Sequence, residues 1–157
     1  MGKIHSVLLV CTGNSCRSVM AEGLLKKRLK ELGRTDIVVR SAGTGALQGY
    51  PPMAETIKVM EEAGVDLSNF ESTSINDGLI SESDLILAMS TAHRAEIIRR
   101  VPEAAAKTFL LSEYGRSEQD EKLTDPDIPD PIGLSVTGYK VCLEILKKEI
   151  GRVAKLL

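Results

Sequence analysis

The sequence predicts an α/β fold, a three-layer sandwich with a four-stranded, mainly parallel sheet and a polar loop after the first strand. Three observations carry this expectation. Short apolar runs alternate along the chain with stretches of helical periodicity. Strands separated by helices pair in parallel, through right-handed crossovers. The polar loop CTGNSCRS follows the first apolar run, and in such sheets ligands bind beyond the carboxyl ends of the strands.

Ile4 to Val10 reads as a buried strand, because IHSVLLV becomes continuously apolar before polar turn chemistry takes over. A helix is predicted from about Ser18 to Leu32, where Met20, Leu24, Leu25, Leu29 and Leu32 recur at helical spacing and Gly33 is a stop. DIVVRSAG from Asp36 gives a second strand, and Ala54 to Gly64 a second helix closed by glycine. SDLILAM from Ser83 is a third strand, TAHRAEIIRRV a third helix stopped at Pro102, and KTFLL a fourth strand. From Ser112 to Gly133 runs a loop rich in Asp, Pro and Gly, longer than a simple connection requires and therefore a functional candidate. The final helix covers Ser135 to about Lys155, with Val136, Tyr139, Val141, Cys142, Ile145, Leu146 and Ile150 as its expected buried face.

A chain of 157 residues fits a single domain, residues 1–157, with a core that needs no staples. A net charge of −2 argues against nucleic acid as a partner, and any basic site must be local. MGKIHSVLLV has too short an apolar run for a signal peptide, so the expected location is cytoplasmic, with no membrane partner. Met1-Gly2 followed by Ser6 formally fits a myristoylation pattern, one that arises often by chance. Without an export signal, the three cysteines read as thiols with local roles rather than as a disulfide framework.

A loop between a strand and a helix aims backbone N–H groups at a common centre, and the helix N-terminus adds partial positive charge. Gly13 allows a positive φ or a close backbone approach, and Asn14 tolerates the left-handed region. The same field favours negative charge on sulfur, which makes Cys11 a candidate nucleophile. Arg17 offers a planar fork of donors for two oxygens of a phosphate or arsenate, and Ser18 can donate its hydroxyl to the sulfur. Thiolate, cradle and fork together specify displacement at an oxyanion through a cysteinyl-phosphate intermediate, with no metal and no cofactor. The expelled group needs a proton, and KLTDPDIPDPIG supplies Asp125, Asp127 and Asp130 as candidate acids. Asp130 is the first choice and Asp125 the second, each stiffened by a following proline. Two plainer readings of the cysteines are a metal fragment with His5, for which no second ligand pair follows, and a pair of structural thiols. Neither accounts for the Gly, Asn, Arg and Ser around them. His93 and Arg94 are candidates to touch a substrate, but on a helix after a strand they read first as surface residues.

CTGNSCRS, placed at the N-terminal end, resembles the signature of the low-molecular-weight protein tyrosine phosphatase family, including its protein arginine phosphatase branch. The likeness continues through MAEGLL, SAGT at Ser41 to Thr44, SDLILAM and Asp130-Pro131, covering nearly the whole chain. It implies Cys11 as nucleophile and Asp130 as acid and then base. Thr12, Gly13, Asn14, Ser15, Cys16, Arg17 and Ser18 would hold phosphate, and Asn14, Ser18 and Ser41 would support the loop. Cys16 would match a second loop cysteine able to trap an oxidised Cys11 as a disulfide, and a core role for it fits the same spacing. The partner implied is a phosphoprotein substrate, with oligomeric state left open, a weak homodimer included.

The chain departs from the family pattern at Val19, where proline is common, at Gly45 and Ile132, where aromatics are common, and at Phe70, near which a histidine is usual. The loss of aromatics at 45 and 132 thins the walls for a phosphotyrosine ring, though Tyr50 could supply one. Ser15 replaces the bulky aliphatic residue of tyrosine-directed relatives and keeps the hydroxyl of the threonine in arginine-phosphate-directed ones, leaning slightly toward phosphoarginine. Thioredoxin-coupled arsenate reductases can share this loop but need two further cysteines after the third strand. LAMSTAHRAEII has none, and Cys142 lies on the last helix. A non-catalytic oxyanion-binding regulatory module is the third reading, opposed by the intact set of Cys11, Arg17 and Asp130.

Overall fold

The computed structural model describes residues 2–117, 119–120 and 125–157. The chain runs β1 (Ser6–Cys11), α1 (Arg17–Glu31), β2 (Val38–Gly43), α2 (Ala54–Glu62), α3 (Asp77–Glu82), β3 (Leu85–Ala88), α4 (Thr91–Arg100), a 3-10 turn over Pro102–Lys107, β4 (Thr108–Leu110) and α5 (Val136–Ala154). The strands form one sheet in the order β2-β1-β3-β4, and every neighbouring pair is parallel. The predicted α/β class and four-stranded parallel sheet therefore match the structure.

The strand order places the topological switch at β1. From β1 the chain crosses to β2 on one side and later returns to β3 on the other, so the loop leaving β1 lies at the crevice where such sheets bind ligands. Side chains alternate across a strand, and both faces of this sheet are covered, which explains the continuous apolar run of β1. Val7, Leu9 and Cys11 join one buried cluster with Met20, Leu25, Leu146 and Ile150 of α1 and α5. Leu8 and Val10 join the other, with Ile80 of α3 and Ile97 of α4. The alternation that buries Val7 and Leu9 beneath α1 thus delivers the Cys11 side chain to that same face.

Most elements lie within a few residues of their predicted positions, and the departures have local causes. α3 was not foreseen, because six residues are too few for helical periodicity to register. Its signal is a cap, the Asn76 side chain accepting from the Leu79 N–H at 2.8 Å. Val141, expected on the buried face of α5, is 57% exposed, and Leu143 and Val153 are buried instead. α5 also buries Glu149, which accepts from Arg116 at 3.0 Å and from Arg152 at 2.9 Å, so a charged position lies on the core side. The loop predicted from Ser112 to Gly133 includes 118 and 121–124, which lie outside the described residues. Among the described residues no helix is long and apolar enough to cross a membrane.

Contact between α1 and α5 carries the layer beneath the site, and Leu146 is fully buried there. Leu146→Ala is expected to destabilise the fold by about 2–5 kcal/mol. In urea unfolding this would appear as a lower midpoint with an unchanged slope.

Candidate active site

Cys11 is the last residue of β1 and Arg17 the first of α1, so residues 12–16 must reverse the chain within a short span. The turn is made by Asn14, whose φ is 50°, in the left-handed region that Asn tolerates best among residues with a side chain. Gly13 does not take a positive φ, and the close backbone approach occurs across the sheet instead. Gly43 pairs in register with Cys11, and a Cβ added there would lie 2.3 Å from the Thr12 carbonyl oxygen and 2.8 Å from the Asn14 nitrogen.

The carbonyls of Cys11, Thr12, Ser15 and Cys16 are satisfied by donors outside the loop's centre. Thr44 N–H donates to Cys11 O and Gly45 N–H to Thr12 O, each at 2.9 Å. Met53 N–H at 3.2 Å and the Thr56 hydroxyl at 2.9 Å donate to Ser15 O, and Met20 N–H donates to Cys16 O at 2.9 Å. Among the described residues, no protein acceptor meets the N–H groups of Thr12 to Cys16. With no acidic residue in the first turn of α1 to offset its dipole, these N–H groups form a nest suited to an oxyanion.

A buried polar network fixes the nest. The Asn14 amide donates to Ser18 Oγ at 2.8 Å and to Ser41 Oγ at 2.9 Å, and its carbonyl accepts from Thr73 N–H at 2.8 Å. Ser41 in turn donates to Glu22 at 2.7 Å. Ser18 already accepts from Asn14, so its hydroxyl proton can point at the Cys11 sulfur, 2.9 Å from Ser18 Oγ. Donation there supports negative charge on sulfur.

Arg17 is buried along its length, donates to Ile128 O at 3.1 Å and approaches Asp130 at 3.6 Å. It thereby joins the nest to the acidic loop. Asp130 is 46% exposed at its side chain and meets the site through this contact with Arg17. Asp125 instead accepts from Asp127 N–H at 2.9 Å within its own turn, and Asp127 accepts from Thr91 N–H at 2.9 Å. The structure thus brings Cys11, Arg17, Ser18, Asn14, Ser41 and Asp130 together, while the Asp125 carboxylate is engaged within its own turn.

Cys16 faces the core, with its sulfur 3.6 Å from the Tyr139 hydroxyl. All three cysteines are free thiols. Burial pushes the Cys142 thiol up to about 12, keeping it protonated to donate to Pro129 O at 3.6 Å beneath the acidic loop. Burial likewise raises Tyr139, so its hydroxyl stays protonated beside Cys16.

His93 overturns the expectation of a surface residue: it is 5% exposed. Its Nε2 lies 2.7 Å from Thr12 Oγ1 and its Nδ1 2.8 Å from Ser90 Oγ, tying the first residue of the nest to the start of α4. Burial first, and the Arg17 charge second, lower its pKa to about 4, against opposing pulls from Asp127 and Asp130. The missed signal was Ser90, which caps α4 by accepting from His93 N–H and so turns His93 inward. Arg94 is also partly buried, donating to Thr108 O at 2.9 Å.

A parallel sheet whose first strand ends in a buried thiol, beneath a nest of backbone donors and one arginine, is the arrangement of a cysteine-dependent phosphatase. The family profile described as Low molecular weight phosphotyrosine protein phosphatase matches residues 6–157, and the chain belongs to this family. Among its relatives, a probable low molecular weight protein-tyrosine-phosphatase EpsP of Ralstonia nicotianae is 37% identical, covering 94% of this chain and 92% of that protein. A protein-arginine-phosphatase of Geobacillus stearothermophilus is 34% identical, covering 98% and 96%. Among solved structures, a cysteine-to-serine mutant of the YwlE arginine phosphatase with a phosphorylated active site serine superposes with a TM-score of 0.87 at 31% identity, covering 97% of this chain and 95% of that one.

Two outcomes are expected. Gly43→Ala forces a methyl group against backbone of the nest, and should weaken inhibition by inorganic phosphate and lower stability by about 1–3 kcal/mol. Because the folded-state pKa of His93 lies below its unfolded value, the unfolded chain binds the extra proton between pH 6.5 and about 4. Stability is therefore lost as pH falls through that window, and urea midpoints should drop less steeply there in a His93→Gln variant.

Proposed function

We propose that this chain hydrolyses phosphorylated protein side chains with Cys11 as nucleophile, Arg17 as transition-state clamp and Asp130 as general acid and then base. The observation that carries this reading is the convergence of Cys11, Ser18, Arg17 and Asp130 around one nest of unclaimed N–H groups.

In the first half-reaction the Cys11 sulfur attacks phosphorus in line. The S–P bond forms as the bond to the leaving oxygen or nitrogen breaks, and that atom takes the Asp130 proton. The N–H groups of Thr12 to Cys16 and the Arg17 fork hold the equatorial oxygens, where charge accumulates. In the second half, the Asp130 carboxylate accepts a proton from water as its oxygen attacks phosphorus. The S–P bond breaks, and its electron pair returns to a sulfur stabilised by the Ser18 hydroxyl. General acid assistance of this kind contributes about 10²–10⁴ in rate.

Within phosphoproteins, the reading favours phosphoarginine. The chain has three Tyr, two Phe and no Trp. Tyr139 is fully buried, and Phe70, Phe109 and Tyr114 pack partly buried against the core, with the Phe109 and Tyr114 rings tilted against each other at a centroid separation of 5.1 Å. Tyr50 is the one aromatic with most of its surface exposed, so two aromatic walls cannot both be built around a phenyl ring. Ser15 contributes a small hydroxyl at the nest, suited to a guanidinium N–H. Phosphotyrosine is the second reading, supported by Tyr50 at 57% exposure. The same reading treats residues 1–157 as one domain working in the cytoplasm, where free thiols such as Cys11, Cys16 and Cys142 persist.

The test is turnover of the reduced protein on matched phosphoarginine and phosphotyrosine peptides, with Cys11→Ser alongside. The expected result is a higher kcat/KM for phosphoarginine, and loss of both activities in Cys11→Ser with phosphate binding retained. Turnover by Cys11→Ser near the wild-type rate would exclude the covalent route, and a preference for phosphotyrosine would make Tyr50 the wall that decides specificity.

A further inference from the structure

We propose that Asp127 is a positioning residue for the acid, holding the acidic loop on the first turn of α4 so that Asp130 stays beside Arg17. The inference rests on Asp130 being the acid.

The acidic loop is held most densely over residues 126–128. Asp127 Oδ1 accepts from Thr91 N–H at 2.9 Å, and Oδ2 lies 3.5 Å from the Thr91 hydroxyl. The adjoining Ile128 is 3% exposed, donates its N–H to Met89 O at 2.8 Å, and accepts from Arg17 at 3.1 Å. On the other side, Pro126 O accepts from the Ser112 hydroxyl. Beyond Ile128 the restraints thin out. Pro129 O accepts only the weak thiol donor of Cys142, and the Asp130 carboxylate turns back on its own loop to accept from Ile132 N–H at 3.0 Å. Apart from its approach to Arg17 at 3.6 Å, the place of Asp130 is therefore set through residues 126–128.

Thr91 N–H is one of the donors at the start of α4 that have no partner within the helix, where a carboxylate is favoured by the helix dipole as well as by the hydrogen bond. Met89, next to this turn, donates its N–H to Val10 O at 2.9 Å. β1, which carries Cys11, and the loop that carries Asp130 thus hang on the same segment, residues 89–91. That shared post sets the separation between nucleophile and acid, and small displacements of a reacting group carry large rate costs.

Thr91 also provides a clean way to remove the contact. Proline is tolerated at the first helical position, and the preceding Ser90, at φ −147° and ψ 166°, is already extended as a residue before proline must be. Thr91→Pro deletes the N–H while leaving the helix start intact.

The experiment measures kcat/KM of wild type, Asp130→Ala, Asp127→Ala, Asp127→Asn, Thr91→Pro and the Asp127→Ala/Thr91→Pro double variant. The substrates are an aryl phosphate with a poor leaving group, phenyl phosphate, and one with a good leaving group, nitrophenyl phosphate. Urea midpoints and inhibition by inorganic phosphate are recorded for each variant. Expected is a loss of about tenfold or more on phenyl phosphate in Asp127→Ala and Thr91→Pro, with nitrophenyl phosphate and phosphate inhibition changed less than about twofold. Asp127→Asn, which keeps an acceptor oxygen, restores most of the loss, and the double variant is no worse than either single one. Equal losses on both substrates, or none, with Asp130→Ala still selective for the poor leaving group, would overturn the positioning role alone. An Asp130→Ala variant with no leaving-group selectivity would overturn the acid assignment, and the positioning role with it.

Discussion

The site depends on one buried side chain amide. Asn14 is inaccessible to solvent, its backbone occupies the left-handed region, and all of its amide groups are engaged, with Ser18, Ser41 and Thr73. Burying an amide is unfavourable unless every polar group finds a partner, and here each partner belongs to a different part of the fold: α1, β2 and the strap before α3. The turn at Asn14 therefore forms in one conformation only when those elements have assembled. Its consequence is a nest in which the carbonyls of Cys11, Thr12, Ser15 and Cys16 are engaged elsewhere and the N–H groups of Thr12 to Cys16 meet no protein acceptor among the described residues, before any substrate arrives. Preorganisation of this kind is what makes hydrogen-bond donors effective at a transition state.

The same logic carries outward from the nest. Alternation along β1 puts Cys11 on the α1 and α5 face, where burial excludes competing solvent from the sulfur, and Ser18 meets it from the first turn of α1. Arg17 then joins two loops distant in sequence by taking Ile128 O and approaching Asp130. A guanidinium suits this junction, because its planar fork can hold a loop carbonyl with one nitrogen and turn others toward oxygens of an anion. His93, kept neutral by burial, closes the opposite side by holding the Thr12 hydroxyl.

Much of this was legible in the residues. The apolar run of β1, the glycine stops and the helical periodicities gave the element order, and the loop chemistry of Cys11, Asn14, Arg17 and Ser18 pointed to an oxyanion. What escaped was set by tertiary contacts that leave no periodic trace. His93 read as exposed because its inward turn follows from the Ser90 cap and from a Thr12 partner 81 positions away. Gly43 drew no attention in SAGT because its necessity arises only when β1 and β2 pair and the Thr12 carbonyl passes over it. Val141 was assigned to the core by apolar character, while the true face of α5 runs through Leu143, Leu146, Ile150 and Val153. Asp125, Asp127 and Asp130 look alike in sequence, and only their partners separate them: a local turn for Asp125, the start of α4 for Asp127, and Arg17 for Asp130.

On the proposed mechanism the fold, the nest and the acidic loop serve one chemical event, the bonding of the Cys11 sulfur to phosphorus. The most direct measurement is rapid acid quenching of the protein during turnover of a phosphorylated peptide, with the modified residue located by mass spectrometry. The expected result is a phosphoryl group on Cys11 that forms and decays at rates compatible with turnover, and that accumulates when Asp130 is replaced by alanine. Turnover with no phosphoryl adduct, or with the adduct on another residue, would contradict it.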